Sequence, residues 1–218
     1  YAGPEIAVAS TKAYMVQLSV LYLFAMRLAM AKGKLDEAQA RRLTAELLQT
    51  GEKINGILEN CDQIKFLASK FMNASDLFFM GRGFDYALSL EASLKLKEIS
   101  YIHSEAYAAG ELKHGTISLI EQGTPVIALA TQKDIYEKTI SNIKETKSRG
   151  ANTLLFTTQN QPVPDGVADY VVRLPEFEEL LMPMLLIVPL QLFAYYVSVL
   201  RGCDVDKPRN LAKSVTVE

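Results

Sequence analysis

Three ionisable residues share one face of a predicted helix, and their types could move protons. The segment YALSLEASLKLKEIS contains Glu91, Lys95 and Glu98, and a spacing of i, i+4 and i+7 places them on the same side of a helix. One interpretation is an ordinary surface pair, which stabilises a helix by roughly 0.2–0.5 kcal/mol. The other is a helix at the carboxyl ends of parallel strands, where ligands bind in open α/β sheets. There Lys95 would keep Glu98 ionised and ready to act as a base.

A second candidate region lies between this helix and the next predicted strand. The segment HSEAYAAGELKH runs from His103 to His114, and it holds both histidines together with Glu105 and Glu111. Because it is long for a connection, we predict a functional loop that faces the charged helix. The preceding turn, residues 81–83 (Gly-Arg-Gly), joins a strand to a helix N-terminus, which suits an anion, although such turns are common.

The last residues, 204–218, read DVDKPRNLAKSVTVE and form no predicted helix or strand. Pro208 prevents a helix through their middle. Lys207, Arg209 and Lys213 stand among small and β-branched residues. The segment is either a solvated tail, as is common at chain termini, or a segment that folds back over a site and delivers a lysine.

Composition limits the class of protein. The chain has 218 residues, of which 49% are apolar, enough for one large domain or one and a half. A net charge of −2 and a pI near 5.8 argue against a nucleic-acid binder. Cys61 and Cys203 match no metal spacing or disulfide framework, so a reduced, cytoplasmic setting is expected. No signal peptide is visible at Tyr1, and the chain start is expected to be an artificial or proteolytic boundary within a longer protein.

One segment has the length of a membrane span. Residues 180–200 contain no charge, and such a length could cross a bilayer. The segment also contains Pro183, Pro189 and Gln191, and the rest of the chain has the pattern of a water-soluble α/β protein. We therefore predict a buried or interfacial helix and no membrane association.

The second half alternates short apolar strands with helices, which is typical of a parallel sheet covered on both faces. Strands are expected at Asp76–Met80, Pro125–Ala130, Asn152–Thr157 and Tyr170–Leu174, and helices at about 85–100, 134–149 and 178–201. On the first of these helices, Leu90, Leu94 and Tyr101 form the face expected to pack on the sheet.

The first half has helices but no convincing strand. Helices are predicted at residues 4–32, 36–50 and 52–72, with a break at Gly51 and another around Asn60. The first and last helices share a similar make-up, which would fit the closing helices of two duplicated α/β units. Shared composition of buried helices explains the similarity equally well.

Long motifs resemble the glutamine–fructose-6-phosphate aminotransferase (isomerizing) family. LEASLKLKEISYIHSEAYAAGELKHG and PLQLFAYYVSVLRGCDVDKPRNLAKSVTVE are similar to the C-terminal part of its isomerase region, which is built from two sugar isomerase (SIS) domains. GPEIAVASTKAY resembles the end of the first SIS domain. The resemblance covers essentially the whole chain, and one departure is Thr116, where proline is common.

The resemblance implies a fold and a domain organisation. Residues 73–202 would form a complete, doubly wound α/β SIS domain with a parallel sheet. Residues 1–72 would be the end of a truncated first SIS domain with connecting helices, and residues 203–218 a C-terminal active-site tail.

It also implies catalytic roles. The family converts fructose 6-phosphate and glutamine to glucosamine 6-phosphate and glutamate. Lys213, in NLAKS, would form a Schiff base at C2 of the sugar, and Glu98 would carry a proton between C1 and C2. His114, supplied by the neighbouring subunit, would open and close the sugar ring. Lys95 and Glu91 match the supporting residues on the helix.

Substrate contacts and partners follow from the same resemblance. The backbone of Val8 and Ala212 and the hydroxyl of Ser10 match sugar contacts. No metal or organic cofactor is expected, and the protein is expected to be a homodimer. The family's glutaminase domain and phosphate-binding loop lie upstream of Tyr1, so we expect little synthase activity from this polypeptide alone. A stand-alone sugar-phosphate isomerase and a non-enzymatic sugar-phosphate sensor are the alternatives.

Overall fold

Helices precede a parallel α/β domain in the computed structural model, which describes residues 2–213. The leading helices are α1 (Lys12–Ala31), α2 (Glu37–Glu59) and α3 (Asp62–Phe71). The α/β part then runs β1 (Asp76–Gly81), α4 (Phe84–Ser100), β2 (His103–Ala108), β3 (Pro125–Ala130), α5 (Tyr136–Lys147), β4 (Asn152–Thr158), β5 (Tyr170–Leu174) and α6 (Met182–Leu200).

The five strands form one parallel sheet in the order β2-β1-β3-β4-β5. Helices α3, α4 and α6 cover one face and α5 covers the other, so each face has its own apolar core. Because β1 is followed by β2 on one side and β3 on the other, the strand order reverses between β1 and β3. This arrangement confirms the predicted doubly wound α/β fold, including its four predicted strands.

Helix α6 is buried, as predicted for the uncharged segment. It packs against α3 and α4, and Leu185, Leu186 and Ile187 are fully buried. Two helices are long and apolar enough to cross a membrane, namely α1 and the stretch from 179 to 200, and 72% of the latter's most apolar window is buried. The apolarity of α6 is therefore explained by its place in the core.

The predicted loop from His103 to His114 is wrong in its first half. Residues 103–108 form the edge strand β2, which pairs in parallel with β1 along its whole length. Ser104 points into the protein, where its hydroxyl lies 3.0 Å from that of Ser93 on α4. The strand was missed because its polar composition hides the alternation that marks a half-buried strand.

Two predicted helix boundaries are also wrong. The first helix begins at Lys12 rather than residue 4, since residues 2–11 form an irregular segment. Helix α2 continues through Gly51 to Glu59, after a capping box formed by Asp36 and Gln39. A glycine inside a helix costs only about 0.5–1 kcal/mol relative to alanine, which packing and capping offset.

The face of α4 that packs on the sheet was predicted two positions out of phase. Leu88, Ala92 and Leu96 are the buried apolar residues, whereas Leu90 and Leu94 are 48% and 42% exposed. A helix turns about 100° per residue, so an error of two positions moves a residue to the opposite side.

Candidate active site

The charged row on α4, formed by Glu91, Lys95 and Glu98, is ion-paired and mostly buried. Lys95 is only 4% exposed. Its Nζ lies 2.5 Å from Glu98 Oε2 and 3.6 Å from Glu91 Oε1. Both carboxylates are mostly buried, with side chains 16% exposed for Glu91 and 23% for Glu98. The burial of this group excludes the first of the two interpretations drawn from the sequence, an ordinary solvent-exposed pair on the helix surface.

Burial and charge act in opposite directions on Glu91. Loss of solvent raises the pKa of the Glu91 carboxyl, while Lys95 lowers that pKa and Glu98 raises it. Burial also raises the pKa of the Tyr14 hydroxyl, with a further contribution from Glu91. Tyr14 on α1 thus belongs to the surroundings of this row, and no sequence signal pointed to it.

Glu98 has an unused acceptor. Its Oε2 is buried and accepts no hydrogen bond within residues 2–213, although Lys95 lies 2.5 Å away. At so short a distance the two opposite charges attract strongly, so the Glu98 carboxylate is held by its ion pair with Lys95.

A cavity of about 180 Å³ lies beside this row. Four parts of the chain meet there: the N-terminal segment, α4, α6 and the C-terminal tail. Its lining comprises Ala7, Ala9, Thr11, Lys95, Ile99, Gln191, Tyr195, Val205 and Asp206. Helical spacing had singled out Lys95 as a candidate, whereas Gln191 served only as an argument against a membrane span.

The tail folds back, as one of the two interpretations predicted, up to the last described residue. The carbonyl of Asp206 accepts a hydrogen bond from the backbone N–H of Val8 at 3.0 Å, and Pro208 is buried. The N–H of Arg209 donates to the Tyr101 hydroxyl at 2.8 Å, and its guanidinium lies 4.2 Å from the centre of that ring. Residues 214–218 of the predicted tail lie outside the described part of the chain.

Lys213 reaches the N-terminal segment. Its ammonium donates to the Glu5 carboxylate, and this hydrogen bond lowers the pKa of Glu5, with smaller contributions from Lys12 and Ser10. Val8 and Lys213 thus each contact the other segment where the N-terminal segment meets the tail, and Ser10 and Ala212 lie within two residues of them in the chain. No hydrogen bond or ion pair among residues 2–213 joins Lys213 to the charged row on α4.

The two histidines do not share a site, and the prediction of one loop holding both is wrong. His103 begins β2 and lies 3.5 Å from Glu105, whereas His114 follows the end of β2 and is exposed. His103 lies at one end of β2 and His114 beyond the other, and this six-residue strand spans roughly 20 Å. His114 alone is at the carboxyl edge of the sheet.

The Gly-Arg-Gly turn, which suits an anion by its sequence, is contacted by the protein's own side chains. Gln132 accepts from the N–H of Phe84 at 3.3 Å and donates to the Arg82 carbonyl at 2.6 Å. Asp85 accepts from the N–H and hydroxyl of Thr131, both at 2.7 Å. The start of α4 is thus tied to the end of β3.

A larger cavity, about 650 Å³, lies at the amino edge of the sheet. Asp76, His103, Pro125 and Asn152 line it, and each is the first residue of a strand. The smaller cavity is the better candidate, because the buried lysine of the charged row on α4 lines it. In the range 2–213, no group of three or more His, Cys, Asp or Glu side chains is placed to hold a metal ion.

A doubly wound parallel sheet, with helices on both faces and a buried carboxylate–lysine row on one of them, places the chain among the α/β proteins. The SIS domain family matches residues 70–201, and the chain belongs to that family. It is 55% identical over 218 residues to the glutamine–fructose-6-phosphate aminotransferase [isomerizing] of Caldanaerobacter subterraneus subsp. tengcongensis. All of the chain is aligned there, and it spans 36% of that relative's length.

Two solved structures resemble this chain in fold. The C-terminal domain of glucosamine-fructose-6-phosphate aminotransferase from Francisella tularensis superposes with a TM-score of 0.88 at 36% identity, over 94% of this chain and 58% of that one. A glucosamine-6-phosphate deaminase from Thermotoga maritima gives a TM-score of 0.68 at 26% identity, over 97% of this chain and 58% of the other.

Proposed function

We propose that this chain is the C-terminal isomerase part of a glutamine–fructose-6-phosphate aminotransferase, which makes glucosamine 6-phosphate and glutamate. One observation carries the proposal. The Glu98 carboxylate is held 2.5 Å from a buried lysine, beside a cavity that the tail leading to Lys213 helps to close. The 55% identity to a protein of that name supports it.

The domain organisation is part of the proposal. Residues 1–72 are the end of a first SIS domain with connecting helices, 73–202 are the second SIS domain, and 203–218 are the active-site tail. The exposed apolar side chains of α1, including Leu21 and Phe24 at 62% and 65% exposure, would pack on the remainder of the first domain. The intact protein would be a cytoplasmic homodimer with an N-terminal glutaminase domain.

Lys213 forms the covalent bond to the substrate in this proposal. The Nζ lone pair of its neutral amine attacks the C2 carbonyl of open-chain fructose 6-phosphate, and water leaves to give the Schiff base. Ammonia from glutamine then replaces the lysine at C2. Since Lys213 donates to Glu5 in the structure, this contact must break before the amine can react.

Glu98 is the proton carrier. Its carboxylate removes a proton from C1 and returns it to C2, which converts the ketose imine to the 2-amino aldose. The Lys95 ammonium positions this carboxylate at 2.5 Å, and Glu91 contacts the same ammonium at 3.6 Å. This arrangement explains why an ammonium is buried between two carboxylates.

The remaining predicted residues bind or prepare the sugar. His114, exposed at the carboxyl edge of the sheet, would reach the site of the neighbouring subunit and catalyse ring opening. The backbone of Val8 and Ala212 and the hydroxyl of Ser10 would contact the sugar. The hydrogen bond between Val8 and Asp206, which joins the N-terminal segment to the tail, supports a shared role.

Borohydride trapping of the full-length protein tests the proposal. Fructose 6-phosphate and borohydride should give a stable adduct on the peptide containing Lys213, detected by mass spectrometry. Lys213→Ala should abolish the adduct, whereas Lys207→Ala, which removes a lysine of the same tail, should retain it. An adduct that persists in Lys213→Ala would show that another lysine reacts.

Turnover assays separate the alternatives. Isomerisation of fructose 6-phosphate without any amination would favour a stand-alone isomerase, and tight binding without turnover would favour a sensor. The present polypeptide alone should form little or no glucosamine 6-phosphate from glutamine. Efficient formation of glucosamine 6-phosphate from glutamine by this polypeptide would contradict the proposal that a separate domain supplies the ammonia.

A further inference from the structure

One polar side chain beside the cavity has no partner. Gln191 stands in α6 between Leu190 and Leu192, and its Nε2 is buried without a hydrogen-bond acceptor among residues 2–213. Nearly all buried polar groups in proteins are hydrogen-bonded. A leucine at this position would be compatible with the surrounding core. The amide therefore calls for an explanation outside the packing of the helix.

A complementary group lies across Lys95. Glu98 Oε2 is a buried acceptor without a hydrogen bond among the same residues, and it contacts the Lys95 ammonium, which lines the cavity together with Gln191. Gln191 and Lys95 thus line one cavity, and the ion-paired carboxylate of Glu98 lies 2.5 Å from that lysine. A hydroxyl group suits both the amide and the carboxylate, because it accepts from an amide and donates to a carboxylate.

The rest of the lining fits the carbon side of the same ligand. Aliphatic residues supply most of the remaining wall, namely Ala7, Ala9, Ile99 and Val205. A sugar presents both hydroxyl groups and C–H surface, so it matches a wall that is apolar except for a few polar groups. An inorganic anion would leave the apolar part without a partner.

We propose that Gln191 is a specificity-determining residue that donates a hydrogen bond to one hydroxyl of the sugar phosphate, next to Glu98. The inference rests on the proposed function and adds a residue to its site. It also explains the unpaired amide, since that donor is completed only when substrate is bound.

Gln191→Leu in the full-length protein is the direct test, because it removes the donor and keeps a side chain of similar size. A neutral hydrogen bond contributes up to about tenfold in affinity. Calorimetry should therefore show fructose 6-phosphate binding about tenfold more weakly, with a matching rise in KM. The ligand-free variant should melt at the same or a higher temperature, because an unpaired buried amide has been removed. If Gln191 had only a structural role, the Gln191→Leu variant would melt at a lower temperature than the unmodified protein.

Gln63→Leu is the matched control. Gln63 is exposed on α3 and donates to the Val171 carbonyl at 3.0 Å, far in the chain from the cavity lining. The same chemical change there should leave the affinity for fructose 6-phosphate unchanged.

Analogues of fructose 6-phosphate, each lacking one hydroxyl, identify the partner group. One analogue should bind the unmodified protein at least tenfold more weakly, and the loss of affinity that it causes should be smaller in Gln191→Leu by about the tenfold that the amide contributes. Equal losses for every analogue, or unaltered binding of fructose 6-phosphate by Gln191→Leu, would refute the inference alone. If the unmodified protein bound no fructose 6-phosphate, the proposed function would fail, and this inference with it.

Discussion

Replacing Lys95 by methionine should destabilise the protein in a pH-dependent way. The substitution keeps the length of the side chain but leaves Glu91 and Glu98 as two buried carboxylates without a cation. At the observed separations of 2.5 and 3.6 Å and an effective dielectric constant of about 20, the two attractions are about 7 and about 5 kcal/mol. Desolvation of the ammonium offsets most of this sum.

The expected net loss follows from comparable buried pairs. Removing one partner of a buried ion pair destabilises a protein by about 3–5 kcal/mol. Because both carboxylates keep some contact with solvent, we expect the lower end, about 3 kcal/mol at pH 8. For a domain of this size that corresponds to a fall in Tm of about 6–12 °C.

The pH dependence has a definite sign. Burial already raises the pKa of Glu91 in the folded protein, and loss of Lys95 removes a charge that lowers it. A carboxyl with a raised folded pKa binds more protons folded than unfolded, so stability falls as pH rises. The penalty should be small below the unfolded pKa of about 4.3. It should grow as pH rises and be complete above the folded pKa.

Urea unfolding of Lys95→Met at pH 5 and pH 8 measures this difference. Lys97→Met is the matched control, since Lys97 lies on the exposed side of the same helix and should change the free energy of unfolding by less than about 0.5 kcal/mol. An equal loss for Lys95→Met at both pH values would refute the electrostatic reasoning. So would a loss no larger than that of the control.

Two further substitutions test the frame around the site. Gly81→Ala should destabilise the protein by about 1–3 kcal/mol, because a Cβ there would lie 2.5 Å from the backbone of α4. Gly56→Ala is the control: no atom lies within 4 Å of a Cβ at that position, so this substitution should stabilise the protein by about 0.5–1 kcal/mol. Equal effects on thermal unfolding would contradict this assignment. Tyr101→Phe removes the acceptor of the Arg209 N–H and should speed tryptic cleavage after Arg209 about three- to tenfold. Tyr86→Phe, the control, should leave the cleavage rate unchanged. An unchanged rate in Tyr101→Phe would mean that this hydrogen bond does not hold the tail.

Much of the fold could be predicted from the sequence because its signals are local. Short apolar runs predicted β1, β3, β4 and β5 to within a residue or two, and alternation with helices indicated a parallel sheet. The edge strand β2 was missed because only one of its sides pairs and its polar residues resemble a loop. Its identity depends on hydrogen bonds to β1, which no local pattern records.

The candidate site residues could likewise be predicted only in part from the sequence. Helical periodicity alone placed Glu91, Lys95 and Glu98 on one face, and the motif of the tail singled out Lys213 by resemblance. Periodicity could not tell a solvated row from a buried one, because burial depends on what packs over the helix.

Tertiary structure decided that question. Segments far apart in the chain, at residues 7–11 and 205–206, meet α4 and α6 around one cavity and remove Lys95 from water. The same packing turned Gln191 from an ordinary polar residue of an apolar helix into an unpaired donor beside that cavity. Sequence determines which groups are available, whereas their burial and mutual distance are properties of the assembled chain, and these determine what the groups can do.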